Sequence, residues 1–171
     1  AGRLDMMIFL PIFAIAGAMT TLVGMFYGAK QSRALIEIVR YGLLSTFLIT
    51  IISSSFVYLF AEIFASSFSK DDEITEVATG FLRLLCFAYP FIAVAITSGR
   101  VLQGLGKGFP VLLVTIIRVL GISAPLSLYF TFILGKPVQW NWYAMIISAL
   151  ISFLIAVYWL KIEVNKIKER I

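Results

Sequence analysis

The sequence predicts an all-α fold, a polytopic membrane helix bundle with five transmembrane helices. Two observations carry that reading. Hydrophobic residues make up 61% of the 171 and charged residues 13%, with mean hydropathy +1.00. A soluble domain carries roughly 25% charged residues, so a soluble globular enzyme is excluded, and a disordered chain with it. The second observation is spacing. Five apolar runs of about 20 residues or more, each enough to cross a ~30 Å hydrocarbon core, are separated by short charged stretches.

The first run, 6–29, carries no charge. Arg3 and Asp5 precede it, an acid as well as a base, and the run is too long for a signal peptide. The second, 41–61, is also uncharged; the third, 77–99, carries only Arg83; the fourth, 109–134, only Arg118. The fifth, 140–160, is uncharged and leads into a basic tail at 161–171 with Lys161, Lys166, Lys168 and Arg170. Trp140, Trp142 and Tyr143 at one end of it, and Tyr158 and Trp159 at the other, fit two interfacial aromatic belts. Each run is too long for a strand, and an isolated membrane segment must satisfy its backbone as a helix.

The connections alternate in charge. Lys30, Arg33 and Arg40 follow the first run, opposed only by Glu37. Lys70, Asp71, Asp72, Glu73 and Glu76 follow the second, and Arg100 and Lys107 the third. The positive-inside rule then predicts a multi-pass protein of the cell membrane. It puts 30–40, 100–107 and 161–171 in the cytoplasm, and the N-terminal end, 66–76 and 135–139 outside. The net charge of +5 reads as orientation in a bilayer and not as a nucleic-acid surface. An odd helix count and a start at Ala1-Gly2-Arg3, without Met, point to a fragment of a longer protein.

Small and polar residues recur at helical spacing on four helices. They are Gly17, Thr20, Thr21, Gly24 and Gly28; Gly42, Thr46, Thr50 and Ser53; Thr79, Gly80, Arg83, Cys86, Pro90 and Thr97; and Thr115, Arg118, Gly121, Pro125 and Tyr129. Residues three, four and seven apart share a face. Such faces allow close helix packing, as Gly24-x-x-x-Gly28 would, or line an aqueous cavity. The candidate path or structural residues are therefore Arg118, Thr115, Tyr129, Pro90, Pro125 and Thr46. Arg118 is the costliest, roughly 12 Å into its helix if that helix starts near Pro110. Snorkelling, carbonyl partners near Pro90, Pro125 or 100–107, or a wet cavity could each satisfy it. Arg83 and Glu62 lie near the acidic side and read as interfacial. Pro11, Pro90 and Pro125 fall inside helices and should kink them. The stretch Gln103 to Gly108 lacks the strand and the Lys-Ser/Thr pair of a phosphate loop; it reads as a flexible connection ending in an N1-type Pro110.

No residue is His and the one Cys is Cys86. That excludes His-based catalysis, the usual zinc sites and an internal disulfide. No helix interior carries an acid, so nothing supports an enzyme, and no cofactor or metal site is expected.

An ordered series of short motifs runs along residues 1 to 160. Arg3-Leu4-Asp5, Leu10-Pro11, Leu22-Val23-Gly24, Gly28-Ala29-Lys30 and Arg33-Ala34 come first. Leu59-Phe60, Ile63-Phe64 and Asp71-Asp72-Glu73 follow. Val101 to Lys107, Pro110, Arg118 and Pro125 complete the series. It resembles the eighth to twelfth helices of multidrug and toxic compound extrusion (MATE) transporters. The resemblance implies a partial C-terminal six-helix lobe of a two-lobe, twelve-helix transporter, partnered by the lipid bilayer, a small-molecule substrate and a missing N-terminal lobe. It implies an antiporter exporting drugs or organic cations against Na+ or H+. By that resemblance, members with a coupling carboxylate carry it in the first lobe or in the seventh and tenth helices. The run 77–99 has none, so coupling would rest on the first lobe, or on Asp5 or Glu62. The alternatives are a lipid-linked oligosaccharide or polysaccharide flippase, and a non-transporting scaffold subunit.

Overall fold

A computed structural model describes residues 2–66, 72–130 and 139–169. These are almost entirely helical, with no strand among them: α1 (Gly2–Gly28), α2 (Ser32–Leu59), α3 (Ala61–Ser66), α4 (Asp72–Gly104), α5 (Gly108–Ile116), a π-helical segment (Ile117–Ser123), α6 (Ala124–Leu128) and α7 (Gln139–Lys168). Five stretches are long and apolar enough to cross a membrane, the fourth being the continuous run α5–π–α6. Residues 1, 67–71, 131–138 and 170–171, which include the end of the expected fourth run, lie outside the described residues.

Three helices run past their apolar spans. α2 begins at Ser32, nine residues before the expected 41; α4 covers 33 residues and α7 continues to Lys168. Hydropathy marks where a helix meets hydrocarbon, while Arg, Glu and Lys are good helix formers that carry it on into water. Lys166 and Glu163, one turn apart on that extension, form an ion pair at 2.9 Å. The basic stretches 30–40 and 161–168 are thus helical for most of their length rather than loops.

Two turns at the basic end close by the same device. Lys30 (φ 57) and Gly106 (φ 75) each adopt the left-handed conformation just after a helix. The next residue's N–H bonds back five residues, Gln31 to Phe26 at 3.0 Å and Lys107 to Leu102 at 2.8 Å. These are Schellman caps. Gln103–Gly108 is therefore a fixed turn and not the flexible connection the composition suggested. Pro110 is the third residue of α5, not the first, still within the turn whose N–H groups have no intrahelical partner.

α4 is the axis of the bundle and packs on α1, α2 and α7. One apolar cluster at the basic end joins Met19, Val23, Leu35, Val39, Val101, Leu102 and Leu160. Another, toward the acidic end, joins Ile8, Ile12, Val57, Leu85, Tyr89 and Ala93, with Phe9 edge-on to Tyr89 at 5.5 Å. The fourth span differs. From Gly108 to Leu128 only Pro110 is buried. Pro11 and Pro90 sit inside helices that continue through them. Pro125 follows the π segment, where the Ala124 N–H reaches back five residues to the Val119 carbonyl.

Candidate functional site

On α2 the buried residues Gly42, Thr46, Thr50 and Ser54 recur every four positions. A hydroxyl in a membrane span is stabilised by an acceptor, and the nearest is the carbonyl one turn back; Ser98 Oγ on α4 is buried with no partner among the described residues. Thr46 Oγ1 donates to the Gly42 carbonyl at 2.8 Å and Thr50 Oγ1 to the Thr46 carbonyl at 2.6 Å. Thr46 Oγ1 also accepts from Thr97 Oγ1 of α4 at 3.2 Å, a bond between two fully buried side chains. The seam between α2 and α4 is thus polar and satisfied. The sequence pattern placed Ser53 on it; the structure buries Ser54 and leaves Ser53 half-buried, because a four-residue ridge continues 42, 46 and 50 to 54.

The expected stripe on α1 is corrected. Gly17, Thr21 and Gly28 are exposed, and the buried face is Ile8, Ile12, Ala16, Met19 and Val23. Gly24-x-x-x-Gly28 is not a packing pair, since nothing lies within 4 Å of a Cβ built on Gly28. The close approach is between α1 and α4. A Cβ on Gly104 would meet the Thr20 carbonyl oxygen at 2.6 Å, and one on Gly24 the Gly104 carbonyl at 3.5 Å. Thr20 Oγ1 lies 3.2 Å from the Arg100 carbonyl at the same crossing.

Pro90 is buried and lines a cavity of about 510 Å³ between α2 and α4, with Phe47, Ser54, Tyr58, Phe87 and Phe91. At the acidic end Arg83 is exposed and lies over the Tyr58 ring, 5.7 Å from its centroid, a cation–π contact. Glu62 is exposed in the first turn of α3. Asp5 lies outside the described side chains.

A second concavity, of about 280 Å³, lies between α4, α5 and α7 and runs toward the basic end. Arg100, Gln103, Thr115, Arg118 and Ser152 give it its polar groups. Arg118 sits in the π segment and is half-buried. No hydrogen bond or ion pair joins it to any described residue, so the carbonyl partners that sequence suggested near Pro90, Pro125 or 100–107 are not engaged there. Arg100 Nη1 donates to Gln103 Oε1 at 3.1 Å, and Thr115 Oγ1 to the Val111 carbonyl at 2.9 Å. Among the described residues, no carboxylate lines this groove.

The six candidates therefore fall in three places. Arg118 and Thr115 share the groove; Thr46 and Pro90 lie on the α2 side of α4. Pro125 and Tyr129 are exposed on the far half of the fourth span, Tyr129 edge-on to Phe130 at 6.0 Å. Sequence reading passed over α7. Its buried residues Ala144, Ser148, Ser152 and Ala156 recur every four positions against α4, and that spacing was available in the sequence.

Five spans, α-helical apart from the π segment, joined by small-residue and hydroxyl seams, define a polytopic membrane bundle. Residues 1–129 match the MatE family, and the chain belongs to it. Over 119 residues it is 26% identical to the probable multidrug resistance protein NorM of Thermotoga maritima, covering 70% of this chain and 26% of that protein. The fold is shared with an outward-facing conformation of a multidrug resistance MATE family transporter of the MOP superfamily (TM-score 0.89, 23% identity, 99% of this chain and 38% of that one). It is shared equally with an inward-facing conformation so described (TM-score 0.87, 22% identity, 98% and 39%). A MOP superfamily transporter from Pyrococcus furiosus Vc1, whose pocket is described as having reverse polarity, matches at TM-score 0.89 and 23% identity over 98% of this chain and 38% of its own. The chain thus spans about a quarter of the curated relative and about two-fifths of the solved ones.

Proposed function

We propose that this chain is part of the C-terminal six-helix lobe, helices 8 to 12, of a secondary active transporter that exports drugs or organic cations in exchange for Na+ or H+. The observation that carries the reading is the MatE match over residues 1–129. Two features of the geometry support it. The far half of the fourth span leaves Gly121, Pro125 and Tyr129 exposed, as a lobe that faces a second lobe would. The same helices match structures described as inward-facing and outward-facing almost equally, which favours a lobe that moves as one body in alternating access.

The basic end, with Lys30, Arg33, Arg40, Lys107 and Lys161, would be cytoplasmic by the positive-inside rule. The acids with described side chains, Glu37, Glu62, Glu76, Glu163 and Glu169, all lie at span ends. We therefore place the coupling carboxylate in the remainder of the transporter. The test is dye efflux from proteoliposomes. The whole transporter carrying this segment should extrude a cationic dye when a Na+ or H+ gradient is imposed and stop when it is collapsed. The segment alone should extrude none, and robust efflux from it would refute the single-lobe reading.

A further inference from the structure

We propose that the groove between α4, α5 and α7 holds the phosphate of an anionic phospholipid headgroup, with Arg118 and Arg100 as its ligands. The inference rests on the groove and stands whatever cargo the protein moves. Arg118 lies ten residues after the start of α5, about 15 Å along the span. The opposite face of that span, Leu112, Ile116 and Leu120, is apolar and exposed, as hydrocarbon contact requires. A guanidinium at that depth has five donors to satisfy, and no described residue supplies an acceptor. Arg100 lines the same groove. Gln103 accepts from Arg100 through its oxygen, which leaves its amide N–H groups free to donate.

Among the described residues, no group in the wall supplies the anion. The nearby acids do not reach it: Glu163 is paired with Lys166 and Glu37 is exposed, and neither lines the groove. A cavity of about 280 Å³ suits a glycerophosphate head and not a whole lipid. Ile92 and Val114 in the wall suit the start of its acyl chains. The helix ends around it carry a surplus of Lys and Arg, and each basic group near a membrane surface adds about 1 kcal/mol toward anionic lipid. Basic pockets between spans bind lipid phosphates on this principle.

The test uses the whole transporter in nanodiscs of phosphatidylcholine and phosphatidylglycerol, extracted into detergent, with retained lipid counted by native mass spectrometry. Phosphatidylglycerol should be retained over phosphatidylcholine. Arg118→Met should lower that preference about fivefold, the equivalent of one basic group. Arg118→Lys should keep most of it. Arg83→Met, the same charge loss at the opposite end, should leave it unchanged. Circular dichroism checks that each variant is folded; should Arg118→Met unfold, Arg118→Lys and the double variant Arg100→Lys/Arg118→Lys carry the comparison. Three results overturn the proposal: no headgroup preference in the unmodified protein, as when another polypeptide segment fills the groove; equal preference after Arg118→Met; or displacement of the lipid by inorganic phosphate, which would make the groove a site for free anions.

Discussion

The two sides of α4 treat polar groups in opposite ways. Toward α2, the hydroxyls of Thr46, Thr50 and Thr97 are fully buried and each finds an oxygen within 3.2 Å. Toward the fourth span, Thr115 is exposed and bonds only its own helix, and Arg118 bonds no described residue. One seam is finished within the described residues; the other surface is open to lipid, water or another polypeptide segment. A buried hydroxyl without an acceptor costs about 1–3 kcal/mol; Ser98 of α4 bears that cost, its Oγ being buried with no partner among the described residues, whereas Thr46, Thr50 and Thr97 avoid it, so the closed seam reads as structure. An open polar face inside a membrane is retained where something other than packing uses it.

The largest way to break this contrast is steric. Gly104→Leu would push a side chain into the Thr20 backbone and should lower unfolding stability in detergent by about 3 kcal/mol. Gly121→Leu meets only Ile117 Cγ2 at 3.8 Å and should change it by less than about 0.5 kcal/mol. Equal losses would mean that the fourth span is packed as tightly as the core. Next comes Gly42→Leu, whose Cβ overlaps the flexible end of Met19. Because that side chain can yield, the loss should be nearer 1.5 kcal/mol, and the same melting assay ranks it against Gly104→Leu.

Smaller still is the bond across the seam. A double-mutant cycle of Thr46→Ala and Thr97→Val should give a coupling near 0.6 kcal/mol, the usual value for a hydrogen bond between membrane helices. Thr46→Ala combined with Thr115→Val should couple by nothing measurable. The smallest expected change is the most telling. Arg118→Met in lipid-free detergent should leave stability within about 0.5 kcal/mol while reducing the gradient-driven transport proposed above for the whole protein. A loss of about 2 kcal/mol would tie Arg118 into the packed core and close the contrast.

The fold was legible because hydrophobic run length and charge punctuation report directly on the bilayer. The helix ends were not. Arg33, Glu37 and Arg40 look like a loop to a hydropathy count, yet they lie on α2, since polarity ends the membrane and not the helix. The stripes were legible where a four-residue ridge met a neighbour, as at Thr46 and Thr50. On α1 they failed, because small residues also occur on faces that meet nothing, as Gly17 and Gly28 do. Arg118 and Thr115 stood out in the sequence; their grouping with Arg100, Gln103 and Ser152 did not. That grouping brings together α4, α5 and α7, and no local spacing encodes which helices become neighbours.

The seven residues of π-helix in the fourth span have one more consequence. An α-helix fixes the angular position of every side chain to those before it, about 100° per residue. A wider winding loosens that gearing. Between Thr115 and Tyr129 the π segment winds with more residues per turn than an α-helix, so it is underwound relative to the α-helical halves on either side. Rewinding Ile117–Ser123 to α geometry would swing the Tyr129 half around its own axis while the Thr115 half stayed seated against α4. The span is thus a screw whose pitch can change along its length, and torsion applied at one membrane face need not arrive as torsion at the other.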